Sequence, residues 1–176
     1  MENSSPDVAR AFIDRASAFL STEYLPKIER CLEQLTDAQM WFRPNEASNS
    51  IGNLVLHLCG NARQWIVAGV GDSPDRRDRD SEFRQRKIIP KAELLELLRT
   101  TINEVGQVLA DLDSNVILER RTIQGKDVEV LEAIFHVTEH FSMHTGQIIL
   151  LTKMLAQTDM KFYDFSSGAP VNRWNT

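Results

Sequence analysis

Apolar residues recur at three- and four-residue spacing in four long stretches of this chain, the pattern of helices that bury one face. In the first, from about Pro6 to Leu35, the stripe is Val8, Ala11, Phe12, Phe19, Leu20, Ile28, Cys31, Leu32 and Leu35. Pro26 lies inside it and predicts a kink or a division. Thr36 followed by Gln39 matches a capping box, so a short extra helical turn is expected before Pro44 ends it. A second helix should start after the Ser-Asn-Ser of residues 48–50, any of which could cap it, and run to about Val70. The third follows Pro90, with Leu94, Leu98, Ile102, Val105 and Leu109 on its stripe. The fourth runs from roughly Val128 to Ala156.

Between these stretches the period is lost. Gly71 and Pro74 open a charged segment, DSPDRRDRDSEF, which reads as a loop or frayed helix. Residues 114–128, with the turn dipeptide Gln124–Gly125, read as a connection holding at most a short extended piece around 116–123. The tail KFYDFSSGAPVNRWNT is aromatic without a period, and is expected to lie irregularly along the rest. Four amphipathic helices in one chain predict an all-α four-helix bundle, one domain over residues 1–176, with sites between facing helices.

Composition narrows the function classes. A hydrophobic fraction of 42% and a charged fraction of 26% are ordinary for a globular protein. The net charge of −5 offers no electrostatic footprint for nucleic acid. The start lacks the basic and apolar segments of a signal peptide, and no apolar run of about 18 residues exists to span a membrane. Cys31 and Cys59 are far apart and are expected to be free, buried thiols in a reducing cytoplasm.

The histidines carry the chemistry. The chain has only 4, and His136, His140 and His144 fall at four-residue intervals inside the fourth helix. At about 100° per residue, with Ala133 at zero, His140 falls near about 340° and His144 near about 20°. Both therefore lie in the core-facing stripe with Val137 and Leu151, while His136 lies at its edge. His57 lies on the second helix and shares a face with Leu54, Leu58 and Asn61. Buried imidazoles need partners. One divalent ion can satisfy three of them and leave positions open for water or substrate. The competing reading is a set of hydrogen-bonded core histidines. His136 is assigned a supporting or surface place, and Gln147 and Asn61 are candidates to line the site.

The stretches NSIGNLVLHLCGNARQW, RDRDSEF and HVTEHFSMHTGQI resemble the DinB-like (damage-inducible) superfamily, and more closely its branch of bacterial proteins of unknown function. The resemblance covers roughly residues 10–155 and is unconnected with the DNA polymerase of that name. It implies a four-helix bundle, often a homodimer, in which three histidines bind a divalent metal. By position these are His57, His140 and His144. Relatives in that superfamily include S-transferases and isomerases that use bacillithiol or mycothiol, and others described as metal-dependent hydrolases.

Three functions follow as expectations. The first is a metal-dependent S-transferase, in which zinc, nickel or iron would hold a low-molecular-weight thiol as thiolate for attack on an electrophilic small molecule. The second is a hydrolase in which the same ion acidifies water, with Glu139, Asp80 or Glu82 as candidate bases. The third is a metal- or ligand-binding protein without turnover. Arg77 and Arg79 are candidates to bind an anionic part of a thiol or substrate, against the plainer reading of surface ion pairs. Trp41, Trp65 and Trp174 are assigned to packing.

Overall fold

The computed structural model describes residues 7–174. Pro6, the expected start of the first helix, lies outside them. The described helix α1, Val8–Ala18, begins where the Asp7 side chain accepts from Arg10 N–H. A π-helical turn, Phe19–Tyr24, carries it without a break in helical backbone into α2, Leu25–Glu33. The irregularity expected at Pro26 therefore falls one turn earlier. Pro26 itself lies in the first turn of α2, where a missing N–H is tolerated. One turn back, the Thr22 carbonyl accepts from the Trp174 indole instead, at 3.0 Å.

The short turn is α3, Asp37–Met40, closed by the Thr36/Gln39 capping box read from the sequence. Of the three candidate caps for the next helix, Ser50 takes the role. Its hydroxyl accepts from Asn53 N–H at the start of α4, Ile51–Ala62, which runs on through a second π-helical turn, Arg63–Ala68. The charged segment has no regular secondary structure until α5, Arg79–Arg84, which Asp78 caps. Then come α6, Lys91–Asp111, and α7, Val130–Ala156.

Two expectations are corrected. Residues 114–128 are more than a connection: after a 3₁₀ turn at Ser114–Val116, strands β1, Arg120–Ile123, and β2, Lys126–Glu129, form an antiparallel hairpin. The turn is made by Gln124 and Gly125, whose φ values of 55° and 74° suit the primed turns that match strand twist. The tail is likewise not wholly irregular. Its strands β3, Tyr163–Asp164, and β4, Val171–Asn172, pair, and Trp174 lies under Lys27, whose ammonium is 3.8 Å from the ring centroid. The tail does lie against the helices, as expected.

The fold is all-α apart from these small strand pairs. α4 packs on α6 and α7, and α2 packs on α7 and α6. Between them the core is Ile28, Leu32, Val55, Leu58, Leu98, Leu109, Val137 and Phe141, all essentially inaccessible. Both cysteines are free and buried. Among the described residues no helix is long and apolar enough to cross a membrane.

Candidate metal centre

α4 and α7 lie face to face, which brings His57 against His140 across 83 residues of sequence. Their Nε2 atoms are 2.9 Å apart. The α-helical repeat adds His144 one turn beyond His140, and one ligand atom from each of the three rings lies within 4.8 Å of the others. The face assignment made from the sequence thus holds for all three. His57 and His144 are buried, at 6% and 9% exposure.

The second nitrogen of His57 is fixed from behind. Its Nδ1 is 2.9 Å from Glu82 Oε2. Arg77 grips the same carboxylate twice, Nε to Oε1 at 2.7 Å and Nη2 to Oε2 at 2.9 Å. Burial pushes the Glu82 carboxyl up, but the bonds from His57 and Arg77, with the Arg77 charge, outweigh it and hold the group below its usual range. An ionised carboxylate only accepts, so Nδ1 carries the hydrogen. Arg77 Nη2 also stands 3.1 Å from Nδ1. That contact follows from both groups sharing Oε2; it is not a bond into the ring. Nε2 of His57 is therefore the nitrogen turned toward His140, in the carboxylate–histidine arrangement that orients metal ligands.

This support depends on local features the sequence reading missed. Asn53 Nδ2 donates to the Glu82 carbonyl at 2.8 Å and so ties α5 to α4. Gly60 leaves room for the carboxylate: a Cβ there would lie 2.0 Å from Glu82 Oε1. The Phe83 ring covers His57 with centroids 4.6 Å apart. A glycine three residues after a helical histidine and an acid at the end of RDRDSE were the available signals, and neither points at the other without the fold.

On the other wall, Gln147 Oε1 accepts from His144 Nδ1 at 2.7 Å, leaving its Nε2 unprotonated. Burial, then the neighbouring His144 and His57, push His140 down to about 3. Burial lowers His144 as well. Neutral imidazole is the form that ligates metals. The three ligand nitrogens lie within 4.8 Å of one another, so small side-chain shifts would bring them to the roughly 2.9–3.5 Å separations of nitrogens bound to one ion. The donor set fits a divalent metal.

The remaining candidates fall elsewhere. His136 is half-buried, accepts from Asn61 Nδ2 at 3.1 Å and packs against Trp65 with the rings tilted by 38° and their centroids 4.1 Å apart. It flanks the cluster in the supporting place assigned to it. Asn61 meets the cluster's flank through His136, and among the described residues its buried Oδ1 has no hydrogen-bond partner. Asp80 is exposed, 3.6 Å from Arg84, and Arg79 lies over the Phe83 ring at 4.9 Å. Glu139 is exposed. Trp41 and Trp174 are anchored to backbone carbonyls, as packing residues are.

A family profile described as "Protein of unknown function (DUF1572)" matches residues 7–169. The chain belongs to the DUF1572 family. Among solved structures, a conserved protein from Enterococcus faecalis aligns with a TM-score of 0.62 at 16% identity, over 85% of this chain and 96% of that one. A DinB-like protein from Bacillus cereus aligns with a TM-score of 0.59 at 15% identity, over 76% of this chain and 86% of that one. At such identities the likeness concerns the fold, which makes this DUF1572 protein DinB-like in architecture, as its motifs suggested. No curated protein matches the chain.

Proposed function

We propose that this DUF1572 protein is a metal-dependent S-transferase that joins a low-molecular-weight thiol to an electrophilic small molecule. The observation that carries the reading is three converging imidazoles whose one hydrogen-bonded carboxylate, Glu82, is already committed to His57 and Arg77. When bound, a divalent ion lowers the pKa of a coordinating thiol and holds it as thiolate. His57, His140 and His144 add no negative charge to offset that of the ion. Glu82, with both oxygens engaged by Arg77 and His57, orients His57 and is unavailable as a base. Asp80 and Glu139 face solvent. Hydrolysis benefits from a base within about 3 Å of the attacking water, and among the described residues no carboxylate other than the engaged Glu82 is hydrogen-bonded to the cluster, whereas a thiol with a pKa of about 8.5 needs less help. The protein's own thiols are unsuited: burial pushes Cys31 up to about 11 and Cys59 up to about 12. The sulfur must therefore diffuse in. It forms a bond to the electrophilic carbon, and the leaving group departs with the bonding pair.

The expected homodimer belongs to the same reading. Phe135, Met143, Leu150 and Met154 of α7 are about half exposed or more, and a second copy would cover them.

The test is metal content by plasma mass spectrometry on untagged protein, followed by thiol-conjugation and esterase assays. Wild type should hold close to one divalent ion per chain. His57→Ala and the His140→Ala/His144→Ala pair should lose it while keeping their helicity, and thiol conjugation should depend on the ion. No metal after reconstitution would overturn the reading, and ester turnover without thiol would replace it with hydrolysis.

A further inference from the structure

The groove between α4 and α7 continues past the histidines. Leu54 comes one turn before His57 on α4, and Gln147 and Leu151 come one and two turns after His144 on α7. These three line a cavity of about 330 Å³, closed on its other side by Leu150 and by residues of the loop between Pro44 and Asn49. The volume lies at the small end of the range for small-molecule sites. Gln147 joins the cavity to the cluster, because it lines the cavity while its Oε1 accepts from His144 Nδ1 at 2.7 Å.

No residue lining this cavity carries a charge. The nearest cation along the loop, Arg43, is spent on the loop itself: it donates to the Ser48 and Glu46 carbonyls. Asn45 Oδ1 accepts from Ala47 N–H at 3.0 Å and from the Ser48 hydroxyl at 2.9 Å, so the loop wall is built before any ligand arrives. Two amides remain to recognise one. With Oε1 taken by His144, Gln147 has its Nε2 left to donate, and among the described residues the half-buried Asn49 side chain has no hydrogen bond. Leucine walls with neutral amide donors suit an apolar body that bears an acceptor oxygen. An ionised group would lose hydration there and gain no counter-charge.

We infer that this cavity binds an uncharged small molecule with an apolar body and an acceptor oxygen, and that this molecule is the electrophile. Its role as electrophile rests on the S-transferase reading; the site and its preference for a neutral ligand do not.

The test uses metal-free protein and two unreactive probes of like shape, 4-methylbenzamide and 4-methylbenzoate. Titration calorimetry should find one site for the amide, with the carboxylate weaker by roughly tenfold or more. The chain has only 4 histidines, so their ring signals resolve by NMR, and the amide should shift those of His144. Ala47→Trp, at an exposed position, should abolish amide binding, with circular dichroism checking that it folds. Ala47→Lys, which supplies the missing cation, should raise carboxylate affinity to at least that of the amide. No saturable amide binding, equal affinity for the carboxylate, unmoved His144 signals, undiminished binding in Ala47→Trp or no gain in Ala47→Lys would each overturn the site. Amide binding on these terms, in a protein that conjugates no thiol once loaded with metal, would uphold the site and overturn the S-transferase reading alone.

Discussion

His57 and His144 both belong to the cluster, but they are held there differently. His57 is backed by a buried ion pair, with side-chain exposures of 8% for His57, 9% for Glu82 and 4% for Arg77. Its support comes from residues 20 and 25 positions away, carried by a separate segment tied down through Asn53. His144 is backed by a neutral amide three residues along its own helix, and that amide is exposed. A charged partner in a dry setting orients strongly and raises ligand basicity, while an exposed amide exchanges readily with water. The α4 wall is therefore preset, and the α7 wall can adjust to the ion.

The largest effect should follow from Glu82→Gln. Metal affinity is expected to fall about 10–100-fold, the usual cost of losing such a partner, and the melting temperature should drop because Arg77 loses its buried counter-ion. Competition titration against a chromogenic chelator measures the first and calorimetry the second. Gly60→Ala reaches the same carboxylate sterically, since the new methyl would meet Glu82 Oε1 at 2.0 Å. It should weaken metal binding by about tenfold without removing any polar group. An unchanged affinity there would mean that Glu82 does not need its present position.

Acid should act on metal-free protein through His140. Its folded value is pushed down to about 3, chiefly by burial, from an unfolded value of 6.5. Between those values the unfolded chain binds the extra proton, so stability is full above about pH 6.5 and declines as pH falls toward about 3. Urea midpoints across that window should fall, and His140→Ala should flatten the slope. The smallest effect belongs to Gln147→Ala, which should cost metal binding only a few-fold, about 1 kcal/mol or less. If it cost as much as Glu82→Gln, the contrast between the two walls would collapse.

Much of this was legible before the fold. The stripes of the four long helices, the Thr36 cap and the inward faces of His57, His140 and His144 all rest on spacing within one helix, which sequence records directly. What was not legible depends on tertiary placement. α5 is too short to show a period, so Glu82 read as one acid among many, and only Asn53 and Gly60 give it its place. The hairpin escaped because its strands carry charged residues on both faces, Arg120 and Arg121 opposite Glu129 and Val128, so no alternation shows. The π-helical turn ahead of Pro26 has no residue-level mark, and the proline suggested a break where the backbone continues.

The 83 residues between His57 and His140 make an ion held by both a cross-link as well as a reagent. In the unfolded chain such a bridge would close a loop about as costly in chain entropy as a long-range disulfide, roughly 4–5 kcal/mol. Here a metal tie between α4 and α7 would fasten the same two helices reversibly, and its strength would follow the supply of the ion.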